Sequence, residues 1–69
     1  MFDVRKMGGQ IAHLRIGHGY TQEQLAEELK VSPQAVSKWE NGVSDPSTSN
    51  LIALAKLYGL SAEELLEGL

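Results

Sequence analysis

Cysteine is absent from this sequence of 69 residues, and proline occurs only twice. Without cysteine the chain can form neither a disulfide framework nor a thiolate metal site. No apolar stretch approaches the roughly 20 residues that cross a bilayer, and the first ten residues contain no apolar signal core. A chain this short has room for one small core and not for a large catalytic cavity. These absences predict one soluble, cytoplasmic domain over residues 1–69, without a membrane partner.

Positive charge is also scarce, because six lysines and arginines stand against nine acids and the net charge is -3. Duplex-binding proteins draw much of their affinity from cations that meet phosphates, so this balance argues against strong nucleic-acid binding. The acids gather around Glu27 and around Glu64, whereas the cations are scattered elsewhere along the chain. The sequence is therefore compatible with a weakly basic face.

Apolar residues recur at intervals of three and four, and no alternating strand-like run occurs, so we predict an all-α fold of five helices. The first helix is expected over about residues 5–16, with an apolar stripe facing the core. Gly8 and Gly9 should each weaken it by ~1 kcal/mol relative to alanine. Gly17 and Gly19 are expected to end it.

The second helix is predicted over residues 22–29, after a capping box formed by Thr21 and Gln24. In such a box the hydroxyl accepts a backbone N–H of the first turn, and the glutamine side chain accepts the N–H of the capping residue. Leu25 and Leu29 place apolar groups on its inner face, and the acids lie outside.

The third helix is predicted over residues 33–41. Ser32 is expected to adopt the extended backbone that both an N-cap and a residue before proline favour, and Pro33 suits the first helical position. Gly42 is a natural left-handed residue at which the helix ends.

Two further helices follow a loop over residues 43–47. An apolar stripe from Leu51 to Tyr58 predicts the fourth helix, which ends at Gly59. Ser61 and Glu64 form a second capping box, which opens a fifth helix. The leucines of this last helix, Leu65, Leu66 and Leu69, suggest a dimer contact or a longer chain.

The second and third helices are separated only by residues 30–32, so residues 22–41 form a tight helix-turn-helix. Val31 is the apolar plug between the two helices. Small Ala26 permits their close crossing.

The strings MGGQIAHLR, TQEQLAEELKVSPQAVSKWENG, DP and LIALAKLYGLSAEEL resemble the phage-repressor and Cro-like helix-turn-helix family of transcription regulators. The resemblance covers nearly the whole chain and implies a five-helix, lambda-repressor-like DNA-binding fold. Lys30 departs from the family pattern, in which glycine often occupies a turn position that needs positive φ. A lysine in that conformation should cost roughly 1 kcal/mol.

The resemblance implies that the third helix lies in the major groove, with Pro33, Gln34, Ser37 and Lys38 facing the bases. Their chemistry agrees, because a glutamine amide pairs with adenine, a lysine donates to guanine, and a serine serves either. Pro33 offers only apolar contact. The alternative is that these side chains are simply the solvated face of an amphipathic helix.

The resemblance also implies contacts to the DNA backbone at both ends of the motif. Gln22 begins the second helix, whose N–H groups and dipole favour a phosphate. Thr21 and Ser32 are first of all helix caps and contact phosphate secondarily, and Asn41 lies at the other flank. For Gln22 the alternative is an ordinary exposed first-turn residue.

Arg15 and Glu40 match a family pair that forms a salt bridge between the first and third helices. If partly buried, this pair orients the recognition helix, and the alternative is a surface pair of little energetic weight. Trp39 could stack on bases, but its place on the apolar stripe favours the core.

Catalysis and metal binding have no positive support. His13 and His18 are five residues apart, with no cysteine and no helix-spaced carboxylate pair, which argues against a metal site. No serine, histidine and acid have a sequence reason to converge, and the glycines lack the context of a phosphate loop. We therefore expect neither an enzyme nor a cofactor.

The leading hypothesis is a transcriptional regulator, usually a repressor, that binds a palindromic double-stranded DNA operator as a homodimer. A second hypothesis is a protein-interaction module on the same fold, such as an antitoxin or coactivator domain, whose acidic helices meet a partner. The acidic pI of about 5.2 supports the second hypothesis. A third is a sensor whose ligand-binding part follows Leu69.

Overall fold

The structure, a computed structural model, describes residues 4–67, with side-chain burial described for residues 7–61 and 63–65. This part of the chain contains no strand, and its five α-helices are α1 (Val4–Gly17), α2 (Gln22–Leu29), α3 (Pro33–Glu40), α4 (Thr48–Leu57) and α5 (Ala62–Glu67). The prediction of an all-α, five-helix fold is confirmed.

The end of α1 differs from the sequence prediction. Gly17 is still helical, and the positive φ that reverses the chain, +77°, belongs to Gly19. The N–H of Gly19 donates to the carbonyl of Ile16 at 3.0 Å. The helix thus ends one residue later than predicted; of the two glycines expected to end it, Gly17 is its last residue and Gly19 makes the turn, because glycine adopts positive φ without steric cost.

The predicted caps form as hydrogen-bonded pairs. The Thr21 hydroxyl accepts the N–H of Gln24 at 3.0 Å, and the Gln24 side chain accepts the N–H of Thr21 at 2.8 Å. Ser61 and Glu64 repeat this arrangement at 3.0 and 3.1 Å before α5. Ser32 caps α3, and its hydroxyl accepts a first-turn N–H at 3.1 Å. These local bonds begin α2, α3 and α5 where the sequence indicates.

One buried core joins all five helices. Helix α3 packs against α1 and α2, while α4 packs against α2 and α5. The buried core residues fall on the predicted apolar stripes and are Met7, Ile11, Leu25, Ala26, Val36, Trp39, Leu54, Ala55, Tyr58 and Leu65. Val31 is half-buried against this core, as a plug between α2 and α3 requires. The fifth-helix leucines Leu66 and Leu69 lie outside the described side chains.

A close contact between α1 and α3 depends on Gly8. A Cβ atom placed there would overlap the carbonyl oxygen of Trp39 and lie 2.8 Å from that of Glu40. A Cβ at the neighbouring Gly9 would meet nothing within 4 Å. From the sequence, the two glycines are expected to weaken the helix equally. In the structure only Gly8 lies where α1 packs closely against the C-terminal end of α3.

The turn between α2 and α3 places Lys30 in the left-handed region, at φ 59° and ψ 43°. Its N–H donates to the carbonyl of Glu27 at 3.2 Å, and the N–H of Val31 donates to that of Ala26 at 3.0 Å. The predicted positive φ is confirmed. This turn directs the chain from the end of α2 into the start of α3.

Candidate nucleic-acid interface

Helix α3 has two faces of opposite character. Val36 is fully buried, and Trp39 is only 4% exposed, so both side chains hold the helix to the core. The other face carries the four residues predicted to meet bases; Ser37 is half-buried, and the exposed ones are Pro33, Gln34 and Lys38. The burial of Trp39 also assigns it to core packing, because its ring offers no open face on which a base could stack.

The C-terminal end of α3 closes with a Schellman motif. Gly42 has φ +72°, its N–H donates to the Trp39 carbonyl at 3.2 Å, and the N–H of Val43 donates to the Lys38 carbonyl at 2.9 Å. Asn41 is exposed beside this turn, and its amide donates to the Ser37 hydroxyl at 3.3 Å. Because Ser37 accepts this bond, its own hydroxyl proton is free to donate to an incoming group.

The predicted backbone-contact residues before α2 and α3 are exposed helix caps. Thr21 and Ser32 both use the hydroxyl oxygen to accept a backbone N–H, which leaves each hydroxyl proton available. Gln22 is half-buried, and its amide donates to Oε1 of Glu40 at 2.9 Å. It is therefore tied to the end of α3 and is not the free first-turn side chain that the alternative interpretation describes.

Arg15 and Glu40 form a bidentate ion pair between α1 and α3. Nε of Arg15 lies 2.6 Å from Oε2 of Glu40, and Nη2 lies 3.0 Å from Oε1. Nη1 donates to the carbonyl of Tyr20 at 2.9 Å. The two side chains are 15% and 7% exposed, so water screens the pair only in part. The hydrogen bonds that Arg15 donates to Glu40 raise the pKa of Arg15 above its ordinary value.

Tyr58, which follows α4, approaches the same region and was assigned only to the core from the sequence. Its ring centroid lies 4.7 Å from that of His18, which is exposed. Its hydroxyl is buried and has no hydrogen-bond partner within the described part of the chain. Burial, followed by the proximity of Tyr20, raises the pKa of Tyr58 to about 12.

Two contacts at this site are absent from the sequence prediction. The Gln22–Glu40 bond joins residues 18 positions apart, and the Arg15 bond to the Tyr20 carbonyl involves a main-chain group. Neither has a sequence signal, because each depends on how α1, α2 and α3 cross. The Gln22 bond and the Arg15–Glu40 ion pair together make Glu40 the shared partner of α1 and α2 at the C-terminal end of α3.

Other kinds of site are not evident in the residues that the structure describes. Among them, no three histidine, cysteine or acidic residues cluster as metal ligands would. His13 and His18 are both exposed. No described helix has the length and apolar character needed to cross a membrane.

Sequence comparison places this chain among helix-turn-helix proteins. Residues 11–65 match a family model described as "Helix-turn-helix". The chain is 44% identical over 59 residues to the HTH-type transcriptional activator BcrR of Enterococcus faecalis, covering 86% of this chain and 29% of that protein. It is 40% identical over 62 residues to the HTH-type transcriptional regulator DicA of Escherichia coli, covering 90% of this chain and 46% of that protein. The chain thus spans less than half the length of either relative.

Solved structures show the same arrangement of helices. The P22 c2 repressor protein, crystallised in complex with a synthetic operator, superposes with a TM-score of 0.81 at 35% identity, over 90% of this chain and 94% of that one. The restriction-modification controller protein C.AhdI from Aeromonas hydrophila gives a TM-score of 0.83 at 30% identity, over 91% and 96%. Since a family model matches most of the chain and these structures share its fold, the chain belongs to the helix-turn-helix family of lambda-repressor-like transcriptional regulators.

Proposed function

We propose that this chain is the DNA-binding domain of a transcriptional regulator, and that α3 enters the major groove of a double-stranded operator. The observation that carries the proposal is the division of α3 into two faces. Val36 and Trp39 anchor one face in the core, while Pro33, Gln34 and Lys38 are exposed along the other. The similarity to the P22 c2 repressor, which was crystallised with an operator, supports it.

The base contacts follow from the chemistry of the exposed face. Gln34 presents a donor and an acceptor that match the adenine edge, and the Lys38 ammonium matches the two guanine acceptors. Ser37 offers the hydroxyl proton that Asn41 leaves free. Pro33 offers an apolar surface for a thymine methyl group. We assign sequence preference chiefly to Gln34 and Lys38.

The contacts to the sugar-phosphate backbone flank this face. Gln22 lies in the first turn of α2, where N–H groups and the helix dipole favour an anion. Thr21 and Ser32 each retain a hydroxyl proton for a phosphate, and Asn41 is exposed beyond the other end of α3. These groups fix the register of the domain on the duplex and carry no sequence information themselves.

The size of the molecule favours a symmetric dimer on a palindromic operator. The longest extent of the domain is 29 Å. Major grooves on one face of a duplex recur every ~34 Å, so one domain reaches one half-site. Two copies related by two-fold symmetry would reach two half-sites and multiply their affinities. Lys38 is the one cation on α3, so the contribution of a partner subunit matters.

We expect the regulator to act as a repressor, because repression requires only that the operator be occupied. Relatives of both kinds are known, since BcrR is named an activator and the P22 protein a repressor. An operator-binding protein works where the chromosome is, which places this one in the cytoplasm.

A protein-interaction module is the second candidate, and the acidic surface of α2 favours it. Glu23, Glu27 and Glu28 are all exposed, and the whole chain has a net charge of -3. A basic partner could meet this face without any contribution from the exposed side of α3. An antitoxin or coactivator would use the fold in this way.

Selection from a random-sequence duplex library separates the two candidates. The DNA-binding proposal predicts an enriched palindrome whose affinity falls as salt rises, with a slope set by the phosphates neutralised. Lys38→Ala should relax base preference at one position of each half-site, by about 1–3 kcal/mol of discrimination. The matched control is Lys56→Ala, which removes an exposed cation from α4 and should leave the selected sequence unchanged. If no duplex is enriched, the interaction module replaces the proposal.

A further inference from the structure

Glu40 accepts hydrogen bonds from two different helices on a single oxygen. Its Oε1 atom lies 2.9 Å from Nε2 of Gln22 and 3.0 Å from Nη2 of Arg15. The second oxygen, Oε2, lies 2.6 Å from Nε of Arg15. The guanidinium thus neutralises the carboxylate, while the amide of Gln22 is drawn toward the C-terminal end of α3.

The bond to Glu40 leaves a defined set of polar groups on Gln22. A primary amide has two N–H donors and one carbonyl acceptor, so one N–H remains after the other is donated to Glu40. A phosphate oxygen is an acceptor and needs that remaining donor. Because Arg15 compensates the charge of Glu40, the carboxylate can hold the amide without a strong repulsion of a nearby phosphate.

We propose that Glu40 is a positioning residue for DNA binding, which orients the Gln22 amide so that its free N–H meets a phosphate. This inference rests on the proposed function. Under this inference Glu40 has two roles, because the carboxylate that pairs with Arg15 also orients the Gln22 amide toward the DNA phosphate. The carboxylate that pairs with Arg15 at the end of α3 is then also the group that determines the phosphate contact of α2.

The physical gain is preorganisation. A glutamine that is free in solution loses side-chain freedom when it binds, which weakens affinity by roughly threefold to tenfold. Gln22 is half-buried and already bonded to Glu40, so its side-chain entropy is lost when the domain folds and not when it binds DNA. If the Glu40 acceptor is removed, the entropy cost of ordering Gln22 should again weaken DNA binding.

A double-mutant cycle tests the proposal on a duplex that the wild-type domain selects. Gln22→Ala is measured in the wild type and in a background that carries Glu40→Asp, which keeps the negative charge beside Arg15 but shortens the side chain that reaches Gln22. Kd is measured at fixed salt, and thermal unfolding shows that each variant is folded. Gln22→Ala should weaken binding about tenfold in the wild type. In the Glu40→Asp background the same change should weaken it by less than about threefold.

A second background keeps the test informative if the Glu40→Asp variant does not fold. Arg15→Met combined with Glu40→Leu removes both charges, because apolar replacement of a whole buried pair often preserves stability where loss of one partner does not. Gln22→Ala should again have little effect there. Gln34→Ala is the matched control, since Gln34 is exposed on α3 and makes no bond to Glu40. Gln34→Ala should weaken affinity by the same factor in all backgrounds.

The outcomes separate this inference from the proposed function. If Gln22→Ala weakens binding equally in every background, Glu40 does not position Gln22 and the inference is overturned while DNA binding stands. If Gln22 and Gln34 lose their effects together, Glu40 acts only by holding α3, which also overturns it. If the wild-type domain binds no duplex, the proposed function fails and the inference fails with it.

Discussion

Lys30 is the one non-glycine residue with positive φ in the described part of the chain. A side chain in the left-handed region crowds the following carbonyl, which costs roughly 1–2 kcal/mol and which glycine avoids. The side chain of Lys30 is exposed and lies outside α3, so it makes no contribution to the proposed reading of bases.

Lys30→Gly should therefore stabilise the domain by about 1 kcal/mol, or about 4–8 °C in melting temperature, without a change in sequence preference. Gly19→Ala provides the opposite control. Gly19 has φ +77° and no atom within 4 Å of an added Cβ, so its substitution tests backbone strain alone and should lower the melting temperature. A melting temperature for Lys30→Gly that is unchanged or lower would contradict this explanation.

Tyr58 contributes a hydroxyl that is buried without a partner. An unmade hydrogen bond of this kind costs the desolvation of the group, so its removal sacrifices no protein contact. Tyr58→Phe should therefore leave stability at neutral pH unchanged or raise it by up to about 1 kcal/mol. Urea unfolding at pH 7 measures this difference.

The same hydroxyl predicts how stability depends on pH in alkaline solution. Its pKa is about 12 in the folded protein against about 10 when unfolded, so the folded state holds the proton more tightly. The contribution of this tighter proton binding to the free energy of unfolding is fully present below pH 10 and is lost as the pH rises through 12. Tyr58→Phe should flatten this decline, whereas Tyr20→Phe should retain most of it, because burial, the larger cause of the raised pKa of Tyr58, is left in place. An equally steep decline in Tyr58→Phe would assign it to another group.

At the scale of the elements, α1 determines the position of α3 in the fold. The helix approaches the carbonyls of Trp39 and Glu40 so closely at Gly8 that no side chain fits between them. The Arg15–Glu40 ion pair then joins the opposite end of α1 to the same part of α3. Helix α1 thus supports α3 at two points while contributing none of the proposed base contacts.

Gly8→Ala and Gly9→Ala form a matched pair on this helix. At Gly8 a methyl group would overlap backbone atoms of α3, so the substitution should destabilise the domain by about 3 kcal/mol and displace α3. At Gly9 the added methyl meets nothing, so the gain in helix propensity should stabilise it by ~1 kcal/mol. Chemical denaturation of the two variants checks both signs, and equal effects would show that helix propensity alone accounts for them.

At the scale of the whole molecule, charge and size limit what one copy can do. The net charge is -3, and the longest dimension of the domain is 29 Å. One subunit can neutralise few phosphates, so the proposed operator binding would reach high affinity only with a second subunit on a second half-site.

This requirement predicts a strong dependence on half-site spacing. An insertion of about five base pairs moves the second half-site to the opposite face of the duplex, where a two-fold dimer cannot reach both sites. Affinity for the selected palindrome should then fall to the value measured for a duplex with a single half-site. Gel-shift titration of the three duplexes checks this, and an affinity that is insensitive to the insertion would show that each subunit binds alone.

Most elements of the fold were predictable because their signals are local. A cap such as Thr21 with Gln24, or Ser32 before Pro33, depends on bonds between residues a few positions apart, so it can be read without knowledge of the fold. The apolar stripes predict the core for the same reason, since a helix places residues three and four apart on one face. The end of α1 was predicted to within one residue, because Gly17 and Gly19 are themselves a local signal for the end of a helix.

The proposed reading surface was predictable only in part. The alternation of buried and exposed positions along α3 follows from helical periodicity, which separates Val36 and Trp39 from Gln34 and Lys38. Their assignment to base contacts depends on the family resemblance and stays a prediction. The Arg15–Glu40 pair also came from the resemblance, since no local pattern joins residues 25 positions apart.

The sequence by itself determined the five helices, the caps of α2, α3 and α5, and the helix-turn-helix that α2 and α3 form, because each depends on chemistry within one or two turns of chain. The left-handed turn at Lys30 was expected from the family resemblance. Only the tertiary structure decided which glycine of α1 is indispensable, that Gln22 is bound to Glu40, and that the Tyr58 hydroxyl is buried without a partner. These three features arise where helices cross. Crossing geometry is set by the packing of the whole core, which no short stretch of sequence specifies.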